Sequence, residues 1–134
     1  MKGSKKKAGR DLVPTKSEMD VLQVLWSQGP STVRVVHEIL NEQKEAVQYT
    51  STLKLMQVMT EKGMLERDET NMKHIYSAIL EEKKTKGFIL ERLVDSLYDG
   101  SVSNLMIALL GNDKTSQAEL NKIKEMLKKM DDAK

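Results

Sequence analysis

A mainly α chain with one small β-hairpin is the fold this 134-residue sequence predicts. Three observations lead there. Between Thr15 and Gly63, apolar residues recur at helical spacing in three short stretches, each bounded by capping or breaking residues. Over Met64–Asp68 and Lys73–Ala78 the helical period gives way to strand-like sequence around a turn-like segment, Glu69 to Met72. From Glu81 onward helical spacing returns in three further stretches. Helix, helix, helix, hairpin is the order of a winged helix-turn-helix domain. The expected divisions are a disordered basic arm over 1–13, a winged-helix DNA-binding domain over 14–80 and a C-terminal three-helix dimerisation region over 81–134.

Each element has a local reason. Thr15-Lys-Ser-Glu18 reads as a capping box, with Thr15 as the cap and Glu18 reaching back to its backbone N–H. The helix behind it runs to about Ser27, with Met19, Val21, Leu22, Leu25 and Trp26 on its apolar face, until Gly29-Pro30 breaks it. Ser31 or Thr32 caps a second helix to about Gln43, with Val33, Val36, Ile39 and Leu40 inward. The connection Lys44 to Tyr49 has room for a short strand. Thr50 or Ser51 then caps a third helix that buries Thr52, Leu55, Met56 and Met59. Ser51, Lys54, Gln57 and Val58 face outward, and Gly63 supplies a left-handed stop. In the hairpin, Ile75 and Tyr76 carry strand propensity.

Ile89, Leu90, Leu93, Val94 and Leu97 mark a helix over Lys83–Tyr98, ended by Asp99-Gly100-Ser101. Ser101 caps a helix through Leu110 that is apolar on nearly every side, and Gly111-Asn112-Asp113 ends it. Ser116 and Glu119 read as a second capping box before a helix whose Leu120, Ile123, Leu127 and Met130 form a narrow seam. A helix as apolar as Val102 to Leu110 is not left on a surface. Either the tail packs back on its own chain or a second copy covers it, and the excess of apolar surface favours a homodimer through Leu93, Leu97, Leu105, Met106, Leu109, Leu120, Ile123 and Leu127.

Composition narrows the function. The chain has no cysteine, which excludes disulfides, thiolate metal sites and a cysteine nucleophile. No apolar run reaches the roughly 20 residues of a membrane helix, and the basic start has no apolar run behind it, so a cytoplasmic protein without membrane insertion is expected. The net charge is +2, yet Lys2, Lys5, Lys6, Lys7 and Arg10 stand in the first ten residues without an acid, leaving 17 basic against 20 acidic side chains elsewhere. Contact with nucleic acid must therefore use local basic groups together with the arm. The two histidines, His37 and His74, have neither spaced ligands nor a nucleophile beside them, so no enzyme, metal or cofactor is expected, and His37 reads as part of an exposed polar face.

An outer helix face of hydroxyl, lysine and amide groups suits a major groove, although an ordinary amphipathic surface helix carries the same pattern. Ser51, Lys54 and Gln57 are the candidates for base edges. Thr50, Arg34 and Lys73 are the candidates for phosphates, with Thr32 offering a helix N-terminus. The hairpin places Lys73 beside a phosphate or merely covers the core. A module of the same shape that binds protein instead of DNA is the alternative, because residues 11–80 carry 7 basic against 10 acidic side chains.

PTKSEMDVLQVLW, GPSTVRVVHEILN, YTSTLKLMQVMTEKGML and ERDETNMKHIY, in that order and spacing from Pro14 to about Tyr76, resemble the penicillinase repressor family. The resemblance implies a dimeric bacterial transcriptional repressor that binds a double-stranded, dyad operator in promoters of antibiotic-resistance or metal-homeostasis genes. Copper-responsive members carry a cysteine motif that this chain lacks. β-lactam-responsive members are inactivated by C-terminal cleavage triggered by a membrane sensor metalloprotease. The bond cut there follows an asparagine and precedes a bulky apolar residue, which maps to Asn104-Leu105. Val58 stands where the family usually has a basic residue, and Val47 where it usually has an aromatic.

Overall fold

The computed structural model describes residues 13–43, 47–70 and 72–133. The basic arm, with Lys2, Lys5, Lys6, Lys7 and Arg10, lies outside the described residues, as does 44–46 of the connection before the third helix. The described elements run α1 (Lys16–Gln28), α2 (Val33–Gln43), α3 (Tyr49–Glu61), β1 (Leu65–Asp68), β2 (Ile75–Ala78), α4 (Glu82–Tyr98), α5 (Val102–Leu110) and α6 (Gln117–Asp132). The fold is a winged helix followed by three helices, as the periodicities predict. By compactness the chain divides into Met1–Ile89 and Leu90–Lys134. That division falls within α4 instead of at 80/81, because the start of α4 belongs to the first unit. Thr85 is buried there, and Lys86 lies 5.7 Å from the Trp26 ring centre.

The first unit has one core. Val21, Leu22, Val24 and Leu25 of α1 meet Val33, Val36 and Leu40 of α2, Met56 and Met59 of α3, and Met64, Leu65, Tyr76 and Leu80. Leu55, expected inside, is only half-buried. The capping box forms in full: the Glu18 N–H donates to Thr15 Oγ1 at 3.2 Å, and the Thr15 N–H donates to Glu18 Oε1 at 2.9 Å. The other carboxylate oxygen of Glu18 accepts from Lys62 Nζ at 2.7 Å, tying the start of α1 to the end of α3. At Ser116 one half of the expected box is present, the Glu119 N–H on the serine hydroxyl.

The third helix ends in a Schellman turn. Gly63 sits at φ +90°, its N–H donates to the Thr60 carbonyl at 3.1 Å, and the Met64 N–H donates to the Met59 carbonyl at 2.9 Å. Its start differs from the sequence expectation. The helix begins at Tyr49, its N-cap is Gln48, and no side chain caps it, so Thr50 and Ser51 lie inside the helix. At α2 the cap is Thr32, whose hydroxyl accepts from the Val35 N–H at 3.2 Å, while the Ser31 hydroxyl donates to the Gly29 carbonyl.

The hairpin pairs antiparallel in the register Leu65↔Ala78 to Asp68↔Ile75, with β2 starting two residues later than the sequence suggests. Asp68 Oδ1 organises the turn by accepting from the Thr70 N–H and hydroxyl. A further bridge joins the hairpin to the segment before α2: the Ser31 N–H donates to the Tyr76 carbonyl at 2.9 Å, and the Tyr76 N–H donates to the Ser31 carbonyl at 2.8 Å. The wing is thereby fixed against α2, which matters for where Lys73 stands.

Glu18 also sets a pH dependence. Burial pushes its carboxyl up, but the Lys62 and Thr15 hydrogen bonds and the Lys62 charge outweigh burial and hold it below the usual carboxylate value. A depressed folded value means that the stabilisation is complete above the unfolded value of about 4.3 and is lost as pH falls through the folded one. Glu18→Gln should cost about 1–2 kcal/mol in urea unfolding at pH 7. That difference from wild type should shrink towards zero as pH falls below the folded value.

Candidate nucleic-acid interface

The outer face of α3 follows from helical spacing. Thr50, Lys54, Gln57 and Glu61 succeed one another by four, three and four residues and so form one stripe. Thr50, Lys54 and Glu61 are exposed and Gln57 is half-buried, while Thr52, Met56 and Met59 fix the opposite face in the core. No side chain caps α3, and within its first turn the Ser51 N–H is already taken by the Gln48 carbonyl at 3.0 Å, which leaves the N–H groups ahead of it for an anion.

On the wing side of the stripe, Tyr49 and Leu53 of α3 form a groove with Thr32, Val33, Arg34 and Glu38 of α2 and with Met72, Lys73 and His74 of the hairpin. Three of the expected phosphate contacts, Thr32, Arg34 and Lys73, are thus brought together beside the N-terminal half of α3. The Arg34 guanidinium stands 5.3 Å from the Tyr49 ring centre. Ser51 lies on the other side of α3, lining a separate hollow with Ser17, Asp20, Leu40, Val47, Thr52 and Leu55. It is exposed but offset from the Thr50–Lys54–Gln57 stripe towards the Asp20 carboxylate.

Four described cations around α3 and the wing differ in whether they are paired. Lys62 pairs with Glu18, and Arg67 pairs with Glu69 and bonds the Tyr76 hydroxyl across the hairpin. Among the described residues Lys54 and Lys73 have no ion-pair partner, so their charge is open to phosphate or base.

Three features escaped the sequence reading. Tyr49, 37% exposed, stands at the head of α3 between Arg34 and His37. Glu61 adds an acid to the end of the stripe, which its spacing of four from Gln57 already signalled. His37 is not on an exposed polar face. It is half-buried between α2 and α3, with Nδ1 2.9 Å from Thr52 Oγ1 and Nε2 3.0 Å from Asn41 Nδ2. Its i,i+4 relation to Asn41 was the one available signal.

In the segment Leu90–Lys134, apolar side chains are mostly left uncovered. Leu93, Leu97, Leu109 and Leu127 are exposed, as are Leu90, Val102, Ile107, Leu110, Met126 and Met130. Met106, Leu120 and Ile123 are half-buried. Leu105 differs from the other residues expected at the dimer contact, since it is 8% exposed within the single chain. Asn104, ahead of it, lies in the first turn of α5 with its N–H on the Ser101 hydroxyl. The Asn104-Leu105 bond is therefore helical.

Among the described residues no group of three or more His, Cys, Asp or Glu is placed to hold a metal ion. No described helix is long and apolar enough to cross a membrane.

The family model described as "Penicillinase repressor" matches residues 14–129. No curated protein matches the chain. Among solved structures, a MarR family protein from Bacillus stearothermophilus is 18% identical, with 98% of this chain and 83% of that one covered at a TM-score of 0.50. The complex structure of hsRosR-S4 is 17% identical, with 79% of this chain and 91% of that one covered at a TM-score of 0.50. At these identities the likeness is one of fold.

Proposed function

The chain belongs to the penicillinase repressor family of DNA-binding repressors, and from that premise we propose that two copies, joined through their C-terminal helices, hold a palindromic operator by α3 and the wing. The observation that carries this reading is the open stripe of Thr50, Lys54 and Gln57 on an uncapped α3, flanked by Arg34 and by Lys73, which like Lys54 has no ion-pair partner among the described residues. In each copy α3 enters a major groove, Lys54 and Gln57 reach base edges, and Ser51 approaches from the α1 side. Thr50, Arg34 and Lys73 take phosphates, and the α2 N-terminus at Thr32 faces another. Phosphate contacts set register and base contacts discriminate.

The uncovered apolar faces of α4, α5 and α6 support the dimer, because a second copy is the commonest cover for such a surface. Two weak half-site contacts then become one tight one through effective concentration. Cleavage between Asn104 and Leu105 by a sensor metalloprotease in the membrane would strip α6 and most of α5 from that contact and release the operator. The bond is helical, so the first turn of α5 must unwind before a protease can hold it in extended form.

The test is a gel shift on a palindromic upstream fragment across a salt series. Lys54→Ala should weaken operator binding by about 1–3 kcal/mol and do little to binding of random DNA. Equal losses on both would make Lys54 a phosphate contact. The excess of acids over bases in residues 11–80 favours a second reading, a winged helix that docks on protein. A chain that shifts no fragment at any salt concentration would sink the DNA reading, and capture of a protein partner by α3 and the wing would then support the second one.

A further inference from the structure

The reading helix begins without a side-chain cap, yet its first turn decides where Thr50 and Lys54 stand. The Ser51 and Thr52 N–H groups donate to the Gln48 carbonyl at 3.0 and 3.3 Å, and side chains must add what a cap does not. The hydrogen bonds across the α2–α3 seam identify those side chains.

Asn41 fixes the chemistry of the seam. Its Oδ1 accepts from the Val47 N–H at 3.0 Å, just ahead of α3. Its amide nitrogen therefore faces His37 Nε2 at 3.0 Å, and an NH₂ group can only donate. Nε2 must then be the bare, accepting nitrogen. The ring proton lies on Nδ1, which donates to Thr52 Oγ1 at 2.9 Å. Thr52 is 2% exposed, so water does not replace this bond. The Tyr49 ring meets the imidazole edge-on, with centres 5.4 Å apart and planes at 83°. One imidazole thus connects to Val47 through Asn41, to Tyr49 by ring contact and to Thr52 directly. These are the residues that precede, open and complete the first turn of α3.

We propose that His37 is a positioning residue for operator reading, which in its Nδ1–H form locks the first turn of α3 in the register that aims Thr50 and Lys54 at DNA. This rests on the reading of α3 as the helix that enters the groove. His37 touches no nucleotide in this arrangement; it acts through Asn41, Tyr49 and Thr52. Loosening the seam lets the uncapped turn fray, and a frayed turn still meets phosphates but loses its aim at bases. The expected signature is a loss of selectivity.

The experiment measures binding of the full chain to a palindromic operator and to random DNA by fluorescence anisotropy, for wild type, His37→Ala, His37→Gln and Thr52→Val. His37→Ala should lose about tenfold on the operator, equivalent to ~1.4 kcal/mol, and little on random DNA. Thr52→Val removes the acceptor from the other end and should give the same loss, so the outcome does not depend on one variant folding. His37→Gln can both accept from Asn41 and donate to Thr52, and should recover to within a few-fold of wild type. The ¹⁵N signals of the His37 ring, read in the free chain, should show Nδ1 protonated and Nε2 bare. Wild-type affinity in His37→Ala and Thr52→Val, a glutamine variant as poor as alanine, or a proton found on Nε2 instead of Nδ1 would each overturn the proposal. A wild-type chain that binds no operator overturns the reading of α3 itself, while the ring signals still report on the seam.

Discussion

Placing a lysine at Leu97 or Ile107 should weaken self-association by about 3–5 kcal/mol, a factor of 10² or more in the dimer constant. Both side chains are open in the single chain, Leu97 at 66% and Ile107 at 67% exposure. A lysine at either position is solvated in the monomer and costs it almost nothing, since surface substitutions usually stay within about 0.5 kcal/mol. A large effect can arise only if a second copy covers these positions and strips the ammonium of water. Operator affinity should fall with the dimer constant, because each half-site alone binds weakly. Binding of random DNA should fall less, since α3, Arg34 and Lys73 are untouched. Sedimentation of each variant alone, followed by operator titration, measures both effects. A variant as dimeric as wild type would move the contact elsewhere on the chain.

Tyr76→Ala should destabilise the winged helix by about 3–5 kcal/mol, the range for removing a fully buried aromatic ring. The side chain is 1% exposed and belongs to the core that α1, α2 and α3 share with the hairpin. Its hydroxyl is held by Arg67 on the facing strand, so truncation also leaves that guanidinium with Glu69 alone. The backbone of the same residue carries the bridge to Ser31. Tyr76 therefore links the wing to α2, and its loss should disturb the groove that gathers Arg34 and Lys73. Urea unfolding measures the stability. Tyr76→Phe keeps the ring, and should retain most of it while losing the bond to Arg67. Similar losses in both variants would mean that the hydroxyl, not the buried ring, holds the wing.

The elements that are local in sequence were legible in it. Thr15 and Glu18 carry their own capping geometry, Gly63 its own left-handed turn, and Ile75 and Tyr76 their own strand propensity. Thr52, Met56 and Met59 follow from spacing alone. What escaped depends on residues far apart in the chain. The Ser31 bridge to Tyr76 is a single pair, too short for any periodic signal. The Trp26 indole N–H donates at 2.9 Å to the carbonyl of Leu80, 54 residues away, and with Thr85 this carries the first unit into α4. His37 read as a surface residue because its partners, Asn41 and Thr52, lie on two helices whose crossing the sequence does not state. Thr50 and Ser51 have the right chemistry for a cap, but the helix extends past them to Tyr49, and Gln48 takes the cap position with its backbone carbonyl and without a side-chain bond. Of the candidate interface, the stripe on α3 could be read from spacing. The offset of Ser51 and the groove joining Arg34 to Lys73 required the fold.

The most direct measurement is the mass of the wild-type chain on a dyad operator, compared with its mass on a single half-site, by sedimentation at matched salt. Two copies should sit on the intact operator, with the half-site bound at least about 10²-fold more weakly. One copy on the operator, or a half-site held as tightly as the whole, would contradict a pair of joined copies reading a symmetric site.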